Sequence, residues 1–303
     1  MRRKIIKQGT ATLTVSLPAK WTKKLNLRAG DEVEVEEHDS SLVLGSLAVP
    51  KKKEITIEVT EANKHDIKQI LTHLYRKGLD TIVLKGVSTS ALSQISAIVK
   101  DLLLGFEVTE RDGKQCKITN ISEPTEEKYD VLLRRAFLII KEIHSMLVHD
   151  FKTGSFPNSK EIEELRKQQD KFILFCMRIL TRERGSMIEW ELLKSLMHVQ
   201  HAYYYLYTYA AQNPVKSSKI NDLLQELEDY FQLFYDAYYK QDLNSIHKIN
   251  KLKQEYQFGR CYRFLEQARG KETVALSHIR EIFRLIQTGA SPILAEMLEK
   301  KIS

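Results

Sequence analysis

Apolar and polar positions alternate in short bursts over the first 45 residues of the chain. Leu13, Val15 and Leu17 interleave with Thr12, Thr14 and Ser16, the two-residue period of a half-buried strand. Residues 3–7 read as a preceding strand, joined to it through Gln8-Gly9-Thr10-Ala11, where Gly9 supplies a positive φ for the turn. Pro18 suits the first turn of a short helix, in which Trp21 and Leu25 face inward and Lys20, Lys23 and Lys24 outward. Asn26 and the Arg28-Ala29-Gly30-Asp31 turn close that helix. Val33 and Val35 then alternate with Glu32, Glu34 and Glu36 as a third strand, and His38-Asp39-Ser40 turns into a fourth at Leu42–Leu44. Four short strands and one short helix cannot bury a stable core alone. The pattern therefore predicts an intertwined homodimer in which each copy completes the sheet of the other.

Beyond the Val49-Pro50-Lys51-Lys52-Lys53 linker the pattern changes. Glu54–Val59 alternates as a strand, and Asn63–Lys77 is an amphipathic helix through Ile67, Ile70, Leu71 and Leu74. Thr81–Lys85 is a β-forming run. A helix from Ser88 or Thr89 carries Leu92, Ile95, Ile98, Val99 and Leu102, and a hairpin follows around Arg111-Asp112-Gly113-Lys114. This β-α-β-α-β-β order predicts a compact α/β module over 54–121. From Glu126 onward the period is helical, with helices expected at 126–150, 159–183, 186–212, 217–240, 243–269 and 271–300. Gly154 with Pro157, Gly185, Asn213-Pro214, Gln241-Asp242 and Gly270 punctuate them. Six long helices with short connections suit two antiparallel three-helix bundles. The expected fold class is multi-domain α+β, with domains at 1–48, 54–121 and 125–303.

Charge sharpens this picture. The net charge is +7, and residues 1–53 hold 11 Lys or Arg against 6 Asp or Glu, whereas residues 54–120 hold 9 of each. The first 28 residues contain Arg2, Arg3, Lys4, Lys7, Lys20, Lys23, Lys24 and Arg28 and no acid, so the excess marks a local polyanion site rather than general solubility. A solvated basic face is the plainer alternative. No apolar run approaches the roughly 18 residues of a spanning helix, and no apolar stretch follows Met1-Arg2-Arg3-Lys4, so neither membrane insertion nor a secretory signal is expected. Cys116, Cys176 and Cys261 form no paired motif and read as reduced thiols of a cytoplasmic protein.

The stretch from Gly9 to Glu36 also resembles the AbrB/SpoVT swapped-hairpin family, in the form found in archaeal regulators. The shared features are a Gly after the first strand, an alternating strand ending in Leu17-Pro18, Trp21 shortly after, and a late Gly30-Asp31 before Val33. The resemblance implies a dimeric domain that binds duplex DNA, or an antitoxin-like one. It places Arg3, Lys4, Lys7, Gln8, Thr10, Thr12, Lys20 and Lys23 at the nucleic acid, with Arg2 and Lys24 as flanking cations. Physical chemistry allows this, since Lys and Arg neutralise phosphates while Gln and Thr can reach base edges. The helical part resembles PhoU-type regulators of phosphate uptake, on helix number, domain order and residues 161–180. That resemblance implies phosphate homeostasis as the process and phosphate-transport or signalling proteins as partners.

The remaining constellations are sparse. The acidic helix motif of PhoU-type domains has Arg166 where a carboxylate belongs, leaving Glu163, Glu164 and Asp170 as remnants of a metal site, and residues 247–256 are basic where carboxylates would be needed. His198 and His201 share a face with Glu191 and Ser195 only roughly. Tyr203, Tyr204, Tyr205, Tyr207 and Tyr209, and Tyr230, Phe231, Phe234, Tyr235 and Tyr238, are spaced as core rather than as stacking platforms. Lys85, Gly86, Ser88 and Thr89 form a strand-to-helix loop that could hold an anion or simply cap the helix. No nucleotide-binding loop, nucleophile–base pairing or required cofactor is expected, and no enzyme. The sequence reads as a dimeric DNA-binding transcriptional regulator of phosphate uptake. The alternative is a PhoU-like adaptor acting on a transporter or sensor, with the basic domain serving only to dimerise.

Overall fold

The computed structural model describes residues 3–9, 11–38, 41–46, 52–122 and 127–302. Arg2, Thr10 and the 49–51 part of the linker lie outside them. The chain divides into two compact units, Met1–Lys52 and Lys53–Ser303.

In the first unit, β1 (Ile5–Gln8) pairs antiparallel with β2 (Thr12–Val15), setting Ile5 opposite Val15 and Lys7 opposite Leu13. The helix α1 (Ala19–Leu25) starts after Pro18, whose φ of −64° is already helical, and closes at Asn26 in the left-handed region. Among the described residues β3 (Val33–His38) pairs with β4 (Ser41–Ser46) alone, so the unit holds two separate ladders and no joint sheet. No residue of this unit whose exposure is described is buried. Ile5, Leu13 and Leu42 are each about two-thirds exposed, and Ile6, Val15, Val35 and Val43 are exposed as well. The described residues of the unit thus present apolar side chains without a core.

In the second unit, β5 (Glu54–Glu58) runs parallel to β6 (Thr81–Lys85). β8 (Gln115–Asn120) lies antiparallel to β6, and β7 (Phe106–Asp112) antiparallel to β8, in the order β5-β6-β8-β7. Alternation puts Ile55, Ile82, Ile118 and Val108 on one face in a row, with Ile57, Leu84 and Cys116 beside them. That face meets Ile67, Leu71 and Tyr75 of α2 (Ile67–Arg76) and Ile95, Ile98, Val99 and Leu102 of α3 (Thr89–Leu102). The expected helix 63–77 thus opens as a 3₁₀ turn at Lys64–Asp66. Gly86, with φ +74°, has the Val59 carbonyl 2.6 Å from where a Cβ would stand, so only glycine lets the β6–α3 loop approach the end of β5.

The remaining elements are α4 (Glu127–Thr153), α5 (Ser159–Ile179), α6 (Met187–Gln212), α7 (Ser218–Tyr239), α8 (Leu243–Lys253), α9 (Cys261–Gln267) and α10 (Lys271–Ile302). The expected helix 243–269 is broken by a π-helical turn at Gln254–Arg260, and a second such turn, Leu180–Arg184, ends α5. The six expected helices are present, but their two bundles share one continuous hydrophobic core. Packing of α10 against α6 and of α4 against α7 joins them. Gly289 of α10 permits this closeness, since a Cβ there would meet Ser195 Cβ at 3.1 Å and Phe234 Cζ at 3.2 Å.

The α/β module is not a free-standing domain either. Ile173 to Leu180, at the end of α5 and the start of its π turn, are buried without interruption, so this stretch is apolar nearly all round and lies between two cores. Leu174 belongs to the module's core, while Ile173 and Phe175 belong to the helical one. Arg178, 1% exposed, is the one charge in that run. Its guanidinium donates to the carbonyls of Tyr75 (3.0 Å) and Leu79 (2.8 Å) and to Asp80 Oδ1 (3.2 Å), and sits over the rings of Tyr75 and Phe106. Arg182 reaches the same Asp80 oxygen at 2.6 Å, and the Lys53 N–H donates to Asp80 Oδ2 at 2.9 Å. Desolvation pushes the Asp80 carboxyl up, but the Lys53 amide and the two guanidiniums outweigh it and hold the group below the usual range. Lys53, read from the sequence as part of a hinge, is therefore pinned at the start of the second unit.

Arg178→Met should cost about 3–5 kcal/mol in urea denaturation, because it leaves two buried carbonyls and a carboxylate short of a donor. A second outcome concerns His144 of α4, 3% exposed, which bonds Tyr203 Oη of α6 through Nδ1 at 3.1 Å. Burial lowers its pKa from 6.5 to about 4. The unfolded chain thus binds the proton more tightly, so the His144 contribution is complete above about pH 6.5 and is lost as pH falls towards 4. The expected loss is about 3 kcal/mol, and His144→Phe should flatten that part of the stability–pH curve.

Candidate nucleic-acid interface

The β1–β2 register sorts the basic end into two faces. Residues directly opposed in an antiparallel pair share a side, so Ile5, Lys7, Leu13 and Val15 lie on one face of the hairpin. Ile6, Gln8, Thr12 and Thr14 lie on the other, and Thr14 donates from Oγ1 to the Ile6 carbonyl at 3.2 Å. By the same alternation Lys4 falls with Gln8 and Thr12, and Arg3 with Lys7. The sequence-based set is thereby divided. Lys4, Gln8 and Thr12 share a face rich in hydroxyl, amide and cation, whereas Arg3 and Lys7 flank the apolar patch of Ile5, Leu13 and Val15. Arg2 and Thr10 lie outside the described residues.

Lys20, Lys23 and Lys24 are exposed on α1, opposite the half-buried Trp21 and Leu25, as the helical period requires. No acid stands in the first turn of α1, and Lys23 and Lys24 in its last turn complement the helix dipole. The Arg28 N–H donates to Asp31 Oδ2 at 2.6 Å, so the first carboxylate of the chain is spent on closing a turn. Among the described residues of the first 28, the cations are thus uncompensated by any nearby acid. The arrangement can bind a polyanion through several phosphate contacts at once.

The residues considered for a metal are otherwise engaged. Arg166 donates from Nη2 to Glu163 Oε1 at 2.8 Å and from Nη1 to Asp170 Oδ2 at 2.9 Å, with its guanidinium over the Tyr204 ring. His201 Nε2 stands 2.8 Å from Asp170 Oδ1. The hydrogen bond from Arg166, ahead of opposing desolvation, holds the Glu163 carboxyl below the usual range. Glu164 turns away to Lys167 at 2.9 Å. Arg166 therefore fills the place between the carboxylates that a cation would take. Among the described residues, no three His, Cys, Asp or Glu are placed to hold a metal ion. Burial, and then neighbouring cations, lower the His198 pKa.

At the β6–α3 loop, Ser88 Oγ accepts from the Ala91 N–H at 3.3 Å and meets Ser90 Oγ at 3.1 Å, so capping accounts for it. Gly86 and Ser88 line an open cleft of about 540 Å³ with Lys64 and His65, while Lys85 and Thr89 lie outside its walls. The aromatic stripes are core. Tyr203, Tyr207, Tyr230, Phe231 and Phe234 are buried, and Phe137 of α4 packs against Phe231, Phe234, Tyr235, Tyr238 and Tyr239. Of the two sets, Tyr205 stands more than half exposed. Cys116, Cys176 and Cys261 are buried thiols outside any disulfide. Among the described residues, no helix is long and apolar enough to cross a membrane.

Residues 6–56 match the family model described as antidote-toxin recognition MazE, bacterial antitoxin. The matched span takes in both hairpins and α1 and ends inside β5. It supports an AbrB-like N-terminal domain, of a kind that fits dimerisation and either DNA binding or an antitoxin role. No curated protein and no solved structure matches the chain, and the PhoU-like reading of the helical part gains no family support.

Because the Glu163–Asp170 gap already holds a guanidinium, Mn²⁺ or Mg²⁺ should leave the Tm of the wild-type chain unshifted. Arg166→Met, which strands the half-buried Glu163 carboxylate and leaves the buried Asp170 with His201, should lower stability by about 2–3 kcal/mol in urea.

Proposed function

We propose that the chain is a DNA-binding transcriptional regulator that docks as a homodimer through its N-terminal unit. The observation that carries this reading is the two-sided β1–β2 hairpin. One face holds the exposed Ile5, Leu13 and Val15 beside Lys7 and calls for a second copy, while the other presents Lys4, Gln8 and Thr12 around Ile6. Two protomers joined through Ile5, Leu13, Val15 and Val35 would set two such cationic faces and two α1 helices beside one another, a spacing suited to successive phosphates. Lys4, Lys20, Lys23 and Lys24 would position the duplex, with Gln8 and Thr12 as the base readers. Arg3 and Lys7 would act from the edge of the dimer seam.

The regulated process we assign is phosphate uptake, and its support is the order of six helices after the α/β module. The description of the matched family favours a second reading, an antitoxin whose partner is a toxin protein. In that case a small protein should co-purify stoichiometrically with the chain.

Electrophoretic shift on duplex fragments of genomic DNA decides between these. Wild-type affinity should fall steeply with salt, with log K losing about 0.9 per neutralised phosphate for each unit of log salt. Lys4→Ala with Lys23→Ala should weaken binding at least about tenfold and flatten that slope, while Leu13→Glu should give monomers on sedimentation and lose DNA with them. Unchanged binding in the Lys4/Lys23 variant, or no binding of wild type at low salt, overturns the assignment.

A further inference from the structure

A cavity of about 200 Å³ opens between α4 and α7, the helices that join the two bundles, and is lined by Lys141, His144, Ser145, Glu228, Phe231 and Gln232. The lining is two matched sets at i, i+3 and i+4, three residues from each helix, which places them on facing stripes. The space far exceeds what one water needs. His144 and Phe231 are its buried members, at 3% and 2% exposure, while Ser145 and Glu228 are exposed at the mouth.

His144 shows what is missing. Its Nδ1 bonds Tyr203 Oη, and its Nε2 is buried with no partner. Two tautomers are available. If Nδ1–H donates to the tyrosine, both the phenolic proton, in a residue without exposure, and the Nε2 lone pair go unmet. If Tyr203 donates to Nδ1, only the Nε2–H is left over, and this is the cheaper arrangement. The unmet group is thus a donor. Lys141 stands on the same helix face, one turn away, and its ammonium donates to Gln232 Oε1 at 2.6 Å over the Tyr235 ring, with two further N–H bonds at its disposal. Gln232 in turn donates to Asp236 Oδ1 at 2.8 Å. Burial lowers the Lys141 pKa against the pull of Asp236 and Glu228, as for an ammonium short of a counter-charge. Glu228 accepts one bond, from Gln225 Nε2 at 3.0 Å, and keeps acceptor capacity at the mouth.

Donors within and a carboxylate at the rim select a net-neutral ligand with separated charges. An anion would face Glu228 and a cation Lys141. We infer that this cavity binds a small zwitterion of the amino-acid class, its carboxylate on His144 Nε2–H and Lys141, its ammonium towards Glu228, and its carbon skeleton along Phe231. Such a ligand would bridge the two bundles, giving the helical part an effector site that does not depend on the DNA-binding reading.

The test is calorimetric titration of the full chain, without DNA, by a panel of small L-amino acids. Each is accompanied by the corresponding plain monocarboxylate and plain amine. At least one amino acid should bind at one per chain, about tenfold or more tighter than either counterpart. Glu228→Gln, at an exposed position that leaves the fold intact, should weaken the amino acid and strengthen the monocarboxylate, so that the discrimination between them narrows. His144→Phe should abolish binding of both, and ¹⁵N spectra of the wild type should show the His144 Nε2 resonance move on saturation. The inference is overturned if no amino acid binds at millimolar concentration, if a counterpart binds as tightly, or if Glu228→Gln leaves the discrimination intact.

Discussion

Everything downstream of the linker depends on the last two turns of one helix being buried on all sides, and on the single charge that this burial encloses. A stretch in that position must be apolar around its circumference, and Ile173–Leu180 is, apart from Arg178. The guanidinium is tolerable because the end of α2 and the turn after it present it with the Tyr75 and Leu79 carbonyls and Asp80. The Tyr75 carbonyl also accepts from the Gly78 N–H, so the arginine joins a turn that is already closed. The pairing therefore ties an internal charge to the turn that leads into β6. It also fixes Lys53, through Asp80, at the threshold of the unit. A hydrophobic residue at 178 could not make that tie.

The N-terminal unit is governed by the opposite condition. Among the described residues it has ladders, a cap and turns but no buried side chain, so its local structure is defined without an interior. Its cations can be concentrated for that reason. With no core to desolvate them, Lys4, Lys20, Lys23 and Lys24 remain hydrated. The helical unit handles charge differently, burying it in closed pairs. Arg166 is a guanidinium held between two carboxylates, Glu163 and Asp170, and Asp80 is a carboxylate held between two guanidiniums, Arg178 and Arg182.

Periodicity made most of the elements legible. The six long helices and the β-α-β-α-β-β order follow from spacing, because each element buries one face and its period survives in the sequence. Spacing did not reveal how the layers join. Residues 54–121 and 125–303 read as separate domains because Ile173–Leu180 looks like any apolar helix, and only an arginine within such a run hints at a second layer on its far side. The π turn at Gln254–Arg260 left one local signal, Gly259, a poor helix former that the helical period alone passes over. The division of the basic residues between faces needed the register, and Lys7 could not be told from Lys4 without it. The α4–α7 cavity was invisible for a related reason. Lys141 and His144 on one helix, and Glu228 and Gln232 on another, lie some 90 residues apart, and nothing local ties them.

The alternation along β1 has a consequence for how this chain can vary. A hairpin that sets Ile5, Leu13 and Val15 on one side and Lys4, Gln8 and Thr12 on the other works like a two-sided tape, and its two sides are separated by a single peptide unit. Replacing a residue edits one side and leaves the other legible. Inserting or removing one in the Gly9 turn shifts β2 against β1 and exchanges the sides of its residues, so that Leu13 and Val15 change places with Thr12 and Thr14. The hairpin should therefore drift freely in composition and hardly at all in length, which makes the spacing between Ile5 and Val15 a more durable signature of this unit than the identity of any lysine within it.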